Sequence, residues 1–284
     1  MPVTRRNLLT QSAAAAVFGS SGLACAAAAW VPKGRDNWFD RAIIIDALGG
    51  LGDPYGEPDV SRLSDRAFAE MMQTGVTMLR DTIMPVGNVA DPWGDYRKQA
   101  DQYAQVFAAN PDRLLRIRSA ADILKAKRDK RFGIVVGTQD SCMIGPDLDR
   151  VATMKRDGIL SIQLTYNNGN LSGDGALEPR DAGLTKLGRA TIERIEAEKL
   201  LLDLSHGGAR TMAEAAAHAK RPLTISHTGA RALTDHPRNT ADATIRAVAD
   251  KGGVVGVYFM PFLSTDMHPT GAQLIGHIEH IANV

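Results

Sequence analysis

The sequence predicts an α/β protein in which parallel strands and helices form a (β/α) barrel. After residue 30, short apolar or β-branched runs alternate with longer amphipathic stretches, and this alternation is typical of parallel strands joined by helices. Several runs are apolar almost throughout, as expected for strands buried on both faces. No glycine-rich nucleotide loop follows any run, which argues against an open doubly wound sheet. A length of 284 residues fits one barrel, since such barrels often contain about 250 residues.

Seven runs are predicted to be strands, and glycines such as Gly158 and Gly252 are predicted to end helices between them. The runs are 42–48, 77–83, 132–139, 159–166, 200–206, 222–227 and 253–259. A closed barrel of this kind needs eight strands, whereas the sequence ends in a helical pattern at 272–284. We therefore expect a chain truncated after strand seven; the alternative is a sheet that is open by design.

The first 29 residues differ in composition from the rest. Arg5 and Arg6 precede an alanine-rich run at 13–29, which is too short and too weakly apolar to span a membrane. Small residues at its end suit signal cleavage. We predict a twin-arginine signal peptide at 1–29, a mature barrel at 30–284 and a periplasmic or extracellular location. An ordinary N-terminal helix is the alternative.

Charge and cysteine content exclude several other classes of protein. The 33 basic and 32 acidic residues give a net charge of +1, and no basic stripe is present, so nucleic acid is not an expected partner. The composition, 44% hydrophobic and 23% charged, is typical of soluble globular proteins. No stable membrane span is expected in the mature form. Of the two cysteines, Cys25 lies in the predicted signal, so a disulfide framework is not expected.

The candidate functional residues follow the predicted strands, because the active groups of parallel barrels lie at the carboxyl ends of strands. His206 ends the fifth predicted strand and His227 ends the sixth. Imidazole nitrogens are suitable ligands for zinc. Either histidine alone is more often structural or surface-exposed, but equivalent positions on neighbouring strands predict a shared metal or substrate site.

Several motifs resemble those of the membrane dipeptidases, also called renal dipeptidases, which are zinc peptidases of family M19. The principal motifs are DLSH at 203–206, ISH at 225–227 and HPRN at 236–239; supporting matches are IQLTYN at 162–167, DAGLT at 181–185 and GGVVG at 252–256. The resemblance covers most of residues 40–284. It implies a barrel of the metal-dependent hydrolase kind, export, a homodimer, and two bridged zinc ions that cleave dipeptides.

The resemblance also implies roles for individual residues. His206 and His227 correspond to ligands of the second zinc ion. Arg238 corresponds to the residue that holds the substrate carboxylate, a role suited to a planar guanidinium. Tyr166 takes the position of a family histidine that contacts substrate, and Asn239 extends this substrate-binding group. No catalytic acid or base is assigned.

The first-metal site departs from the family pattern. Leu48 and Gly50 stand where the family has a His-x-Asp pair, and neither side chain can bind a metal ion. Gln139 stands at the position of the bridging glutamate, where a neutral amide brings no negative charge between two dications. The acidic residue of the family's eighth strand would lie beyond Val284.

These departures predict one zinc ion or fewer per chain, because a catalytic zinc ion usually has three protein ligands. Its binding would be weak unless Gln139, Asp140 or Asp46 contributes oxygen. Two functions follow. One is a dipeptidase-like hydrolase acting on dipeptides or small amides; the other is an inactive pocket protein (a pseudoenzyme) or a truncated fragment that binds small peptides.

Other polar residues are given smaller roles. The asparagine- and glycine-rich segments 167–170 and 173–175 predict a flexible loop over the pocket. Cys142 follows a strand and could face the pocket, although a lone cysteine is more often buried and inert. His277 and His280 have helical spacing, which is attributed to a solvated helix face.

Overall fold

Strands and helices alternate through the residues that the computed structural model describes, 38–56 and 61–284. The predicted signal peptide lies outside these residues. The described residues divide into two compact units, one of residues 38–56 and 61–79 with 105–134 and the other of residues 80–104 with 135–284. None of the helices in the described part of the chain has the length and apolar character needed to cross a bilayer.

The described residues form eight strands and nine α-helices. The strands are Ile45–Asp46 (β1), Met78–Ile83 (β2), Leu114–Arg116 (β3), Phe132–Thr138 (β4), Ile159–Gln163 (β5), Leu201–Asp203 (β6), Thr224–Thr228 (β7) and Val254–Val257 (β8). The helices are Trp38–Arg41 (α1), Asp65–Gln73 (α2), Pro92–Ala109 (α3), Ala120–Asp129 (α4), Asp149–Arg156 (α5), Lys186–Ala197 (α6), Ala209–His218 (α7), Asp242–Asp250 (α8) and Gly271–Asn283 (α9). A short 3₁₀ turn, Pro261–Leu263, precedes α9.

In the first unit, β1 pairs with β2 and β3 pairs with β4, in both cases in parallel. The start of β4 has neighbours on two sides, since Gly133 N–H donates to Thr77 O and Phe132 N–H donates to Arg113 O. The sequence did not predict β3. It contains three residues, which are too few to show the alternation from which strands are recognised.

In the second unit, β4, β5, β6, β7 and β8 lie side by side in that order, and all four pairings are parallel. The carboxyl ends of these strands therefore meet at one edge of the sheet. Helices cover the sheet with apolar side chains at helical spacing, such as the fully buried Ile192 and Ile195 of α6, as expected for amphipathic helices. All seven predicted runs contain a strand, and the predicted α/β class is confirmed.

The sequence predicted the ends of two helices correctly, but it did not predict the buried face of the last helix. Gly158 and Gly252 follow α5 and α8 with φ values of 91° and 71°, a conformation that favours glycine. The solvated face predicted for His277 is wrong, because this residue is buried on α9. Its Nδ1 accepts from Ala230 N–H at 2.9 Å and its Nε2 lies 3.1 Å from Leu263 O. Its helical spacing fixed a face but not what that face contacts.

Candidate active site

The two predicted histidines lie next to each other at the carboxyl edge of the second unit's sheet. His206 comes three residues after β6, and His227 lies within the neighbouring β7. Their ring centroids are 4.8 Å apart with an interplanar angle of 62°. Both residues are buried, with exposed fractions of 7% and 8%. The two imidazoles therefore share one environment.

The backbone of His206 is strained. Its φ is 65°, in the left-handed region that L-residues other than glycine seldom adopt. Ala176 N–H donates to its carbonyl at 2.7 Å, and Asn167 Oδ1 lies 2.7 Å from its Nδ1. Because an amide oxygen only accepts hydrogen bonds, Nδ1 carries the proton and Nε2 keeps its lone pair. Strain of about 1–3 kcal/mol is thus tolerated at a residue that presents a free nitrogen.

We expect this strain to reverse the usual stability order of two substitutions. His206→Gly should unfold with a free energy about 1 kcal/mol higher than His206→Ala, because only glycine adopts this φ without penalty. Urea denaturation of both variants measures the difference. A matched pair at His218, which lies on helix α7, should show the opposite order, with alanine the more stable. Equal stability of the two residue-206 variants would contradict a strained backbone.

Aromatic rings and a guanidinium surround the imidazoles. Tyr166 stacks on His206 with centroids 4.1 Å apart and an interplanar angle of 18°. The ring of Tyr258 lies 6.4 Å from that of His227, and the guanidinium carbon of Arg238 lies 5.7 Å from the Tyr258 centroid. Arg238 is buried, and no carboxylate among the described residues forms an ion pair with it. A buried cation without an internal counter-charge favours the binding of an anion.

Asn239 lies beside these groups, but its side chain is engaged internally. Its Nδ2 donates to Thr234 O at 2.9 Å and to Phe262 O at 2.8 Å, and its Oδ1 accepts from Tyr258 Oη at 2.7 Å. Neither amide N–H is therefore free for a ligand. Tyr258 was not predicted to be part of the site. The sequence did contain a signal for it, since it is an aromatic residue near the end of the last predicted strand.

A buried ion pair lies beneath the imidazoles. Arg80 and Asp203 have exposed fractions of 5% and 0%, and Arg80 Nη1 donates to Asp203 Oδ2. The same nitrogen donates to Ser226 Oγ at 2.8 Å, and Nη2 donates to Thr138 O at 2.9 Å. Gly137 makes room for the guanidinium, since a Cβ there would lie 2.8 Å from Arg80 Nε. Arg80 was also not predicted to be part of the site; the signal for it was a charged residue inside an apolar run.

Three residues were expected as possible oxygen ligands for a metal ion, namely Gln139, Asp46 and Asp140, and their side chains have different environments. Gln139 is nearly buried, and its Oε1 accepts from Thr82 Oγ1 at 3.2 Å. In the first unit, Asp46 Oδ1 accepts from Leu48 N–H at 3.0 Å. The Asp140 carboxylate is fully buried and accepts four hydrogen bonds, which come from Gly87 N–H, Ser141 N–H, Cys142 N–H and Asn170 Nδ2. Asp140 therefore serves as an anchor for loops and has little capacity left for a metal ion.

The segment predicted to be a flexible loop is held by backbone hydrogen bonds. Besides the bond from Ala176 to His206, Leu177 N–H donates to Asn167 O and Gly208 N–H donates to Asp174 O. A cavity of about 520 Å³ lies beside it, lined by residues that include Cys142 but neither histidine. Burial, with a contribution from Asp140, raises the pKa of the Cys142 thiol to about 12. This thiol therefore stays protonated and unreactive near neutral pH.

Burial sets the charge of the imidazoles. Desolvation, followed by the positive charge of Arg238, lowers the pKa of His206 well below its ordinary value of 6.5. Desolvation also lowers the pKa of His227, although the Asp203 carboxylate opposes the shift. Both rings are therefore neutral at pH 7, which is the state in which imidazole accepts hydrogen bonds or binds metal.

The donor set fits one metal ion better than two. His227 Nε2 is buried without a hydrogen-bond partner, and the neighbouring His206 also keeps an Nε2 lone pair, so the site offers two imidazole nitrogens as candidate metal donors. Within residues 38–56 and 61–284, no group of three or more His, Cys, Asp or Glu side chains could hold a metal ion. These residues therefore do not fit a bridged pair of ions, which would need several further anionic ligands.

The alternating strands and helices define an α/β protein whose parallel strands carry two buried imidazoles near their carboxyl ends, which is where the active sites of (β/α) folds lie. The chain belongs to the membrane dipeptidase family (Peptidase family M19), whose family model matches residues 61–284. The match includes all of the second unit, and with it all the residues that surround the imidazole pair.

Solved structures support the fold. An amidohydrolase from Pseudomonas aeruginosa superposes with a TM-score of 0.76 at 29% identity, covering 87% of this chain and 71% of that one. A Rhodobacter sphaeroides metallo peptidase, liganded with a phosphinate mimic of the dipeptide L-Ala-D-Ala, gives a TM-score of 0.73 at 18% identity, with coverages of 85% and 82%. The second likeness shows the fold alone. Together they confirm the predicted fold class.

The curated relatives match a smaller share of this chain than the solved structures do. An uncharacterized protein in the pqqA 5′ region of Klebsiella pneumoniae is 30% identical over 191 residues, or 63% of this chain and 70% of the relative. Dipeptidase verJ of Clonostachys rogersoniana is 25% identical over 188 residues, or 66% of this chain and 48% of the relative. The chain therefore matches about half the length of this dipeptidase.

Proposed function

We propose that this protein hydrolyses the amide bond of dipeptides or small amides at the site formed by His206, His227 and Arg238. The observation that carries the proposal is the buried guanidinium of Arg238, which has no carboxylate partner among the described residues and lies beside two neutral imidazoles. A free carboxylate on the substrate would supply the missing negative charge. The dipeptidase and amidohydrolase relatives support the same reaction class.

Substrate would bind through complementary chemistry. The planar guanidinium of Arg238 can donate two parallel hydrogen bonds to a carboxylate, which fixes one end of a dipeptide. Tyr166 covers one face of the His206 ring and would limit the approach of water from that side. The substrate amide would then lie against the Nε2 atoms of the two histidines. Orienting the amide in this way lowers the entropic cost of reaching the transition state.

One zinc ion or fewer per chain is part of this proposal. His206 and His227 would hold the ion, and Gln139 is the candidate for a weaker oxygen contact. A bound zinc ion would supply Lewis acidity for the substrate carbonyl. Elemental analysis of protein purified without added zinc tests the stoichiometry, and two zinc ions per chain would contradict it.

Export is also proposed. Residues 1–29 would act as a twin-arginine signal peptide, which would place the mature chain 30–284 in the periplasm or outside the cell. Support comes from the arginine pair and the alanine-rich run in the sequence. Fractionation of cells producing the full-length chain, compared with an Arg5→Lys/Arg6→Lys variant, tests this location.

The function is tested by substrate hydrolysis. With added zinc, Arg238→Ala should lower kcat/KM for dipeptides by about 30-fold to about 3,000-fold, because losing one partner of a buried charge pair costs about 2–5 kcal/mol. The same variant should have little effect on dipeptides whose carboxylate is replaced by an amide, since these lack the group that Arg238 recognises. Rates over a dipeptide panel measure both effects.

Two controls accompany this test. Arg231 forms an exposed ion pair with Asp235, and Arg231→Ala should leave the rates unchanged. His206→Ala supplies the background. Turnover by the wild-type protein no higher than that background would refute the hydrolase, and an equal loss with both substrate types would refute the role of Arg238.

The second candidate function is a binding protein without hydrolytic activity. It is favoured by one observation, namely that the described residues contain no group of three acidic, histidine or cysteine ligands for a metal ion. Calorimetry would then show dipeptide binding that depends on Arg238 but not on zinc. Intact dipeptide recovered after long incubation would distinguish this function from slow hydrolysis.

A further inference from the structure

The hydroxyl of Ser226 lies at the centre of the buried polar network under the imidazoles. Its Oγ lies 2.6 Å from Asp203 Oδ2, 2.8 Å from Arg80 Nη1 and 2.8 Å from His227 Nδ1. Ser205 Oγ is a more distant neighbour at 3.2 Å. A hydroxyl has one proton to donate and two lone pairs with which to accept. The direction of each of these bonds can therefore be deduced.

The carboxylate of Asp203 takes the protons of both serines. Ser205 Oγ donates to Asp203 Oδ1 at 2.8 Å, and Ser226 Oγ donates to Asp203 Oδ2. The backbone N–H groups of Ser205 and Ser226 also donate to Oδ1. Arg80 can only donate, so its Nη1 uses one lone pair of Ser226 Oγ. One lone pair of Ser226 then remains for His227.

Once these hydrogen bonds are assigned, His227 can form its bond with Ser226 in only one direction. Since the serine proton is already donated to Asp203, His227 Nδ1 must carry a proton and donate it to Ser226 Oγ. The neutral ring then has its lone pair on Nε2. That atom is buried and has no hydrogen-bond partner, so it faces the site as a free acceptor or ligand.

We propose that Arg80 is a positioning residue that, through Asp203 and Ser226, holds His227 in the tautomer with the proton on Nδ1 and the lone pair on Nε2. Without the guanidinium, Asp203 loses its charged partner and Ser226 loses a donor. A buried carboxylate without its counter-charge favours its protonated form, and a protonated Asp203 can donate to Ser226 Oγ instead of accepting from it. The Ser226 hydroxyl can then turn toward His227 Nδ1, so that the ring proton resides on Nε2 and the free lone pair is removed. The close approach permitted by Gly137 shows that the sheet accommodates this guanidinium. The use of the tautomer in hydrolysis rests on the function proposed above, whereas the tautomer itself does not.

The tautomer can be measured directly in the full-length, metal-free protein. Labelling histidine with ¹⁵N and recording two-bond ¹H–¹⁵N correlation spectra distinguishes protonated from unprotonated ring nitrogens, and the signals of residue 227 are those lost in His227→Gln. Wild-type protein should show a protonated Nδ1 and an unprotonated Nε2 at residue 227. Arg80→Met should exchange the two signals or average them, whereas Arg80→Lys, which keeps a donor and a charge, should retain more of the wild-type pattern.

Controls separate this role from general destabilisation. Arg97 forms a half-exposed ion pair with Asp157, and Arg97→Met should leave the signals of His227 unchanged. Should Arg80→Met fail to fold, Ser226→Ala keeps the ion pair but removes the acceptor, and His227 should lose its tautomer preference. A proton on Nε2 in the wild-type protein would overturn the proposal, as would an unchanged His227 in folded Arg80→Met.

Zinc titration provides a second readout. In Arg80→Met, the Kd for zinc should rise about 10-fold to about 100-fold, the usual effect of losing a group that orients a metal-binding histidine. If the wild-type protein has the Nδ1–H tautomer but binds no zinc, the metal-dependent function fails while the role of Arg80 stands. A zinc Kd unaffected in Arg80→Met would overturn the positioning role.

Discussion

Replacing Asp203 by alanine is expected to lower the free energy of unfolding by about 3–5 kcal/mol. The substitution leaves the Arg80 guanidinium buried without a counter-charge. It also removes the acceptor of both serine hydroxyls and of two backbone N–H groups. Although burial alone disfavours a charged carboxylate, the positive charge of Arg80 holds the pKa of Asp203 below its ordinary 3.8, so the lost group is ionised at neutral pH.

Urea denaturation of Asp203→Ala and of an exposed control tests this expectation. Asp235 pairs with Arg231 at the surface, with side-chain exposures of 81% and 40%, so Asp235→Ala should cost only about 0–1 kcal/mol. A double variant, Arg80→Met/Asp203→Leu, should recover much of the loss because it removes both charges together. A loss in Asp203→Ala no greater than in Asp235→Ala would show that the buried pair contributes little.

Acidification from about pH 7.5 to about pH 5.5 should lower the unfolding free energy of the metal-free protein by about 3 kcal/mol. The folded-state pKa values of His206 and His227 lie below the ordinary 6.5, so the unfolded chain binds protons that the folded chain excludes. Each histidine therefore contributes stability above pH 6.5 that is lost as the pH falls toward its folded pKa. One unit below 6.5, this loss is about 1.4 kcal/mol for each ring.

Denaturation at several pH values, after removal of metal with a chelator, measures this slope. Substituting His227 by glutamine should remove about half of it, whereas His268→Gln, at an exposed position, should leave it unchanged. The lowered pKa of Asp203 acts only near and below 3.8, outside this range. Stability that does not change between these two pH values would mean that the imidazoles are accessible to protons in the folded state.

The sequence predicted the site's histidines because a general rule of parallel sheets applies to them. Groups that follow neighbouring parallel strands meet at one edge, and His206 and His227 do so. The positions of the seven predicted strands followed from apolar runs in the same way. The end of a strand was harder to predict, since β6 stops at Asp203 and the chain enters a turn before His206. Local hydrogen bonds, rather than hydrophobicity, decide that boundary.

The hydrogen-bond network beneath the histidines could not be predicted from the sequence. Arg80 and Asp203 are 123 positions apart, so their pairing depends on strand order and on which face each side chain occupies. The left-handed backbone of His206 could not be predicted from its residue type, because only a small fraction of histidines adopt this conformation even though histidine is enriched there. Similarly, the helical spacing of His277 placed it on one face of α9 but did not reveal that Leu263 O and Ala230 N–H would bind it.

The Asp140 carboxylate has a consequence for motion near the cavity. Because a single buried group accepts hydrogen bonds from Gly87, two successive backbone amides and Asn170, displacing any one of these segments leaves a buried carboxylate with fewer donors, which makes the buried arrangement of the others more costly. The loops at this edge of the sheet would consequently loosen together as a cooperative unit. Gly87, Cys142 and Asn170 also line the cavity, so a molecule that pushes these residues apart would have to break hydrogen bonds to this shared anchor.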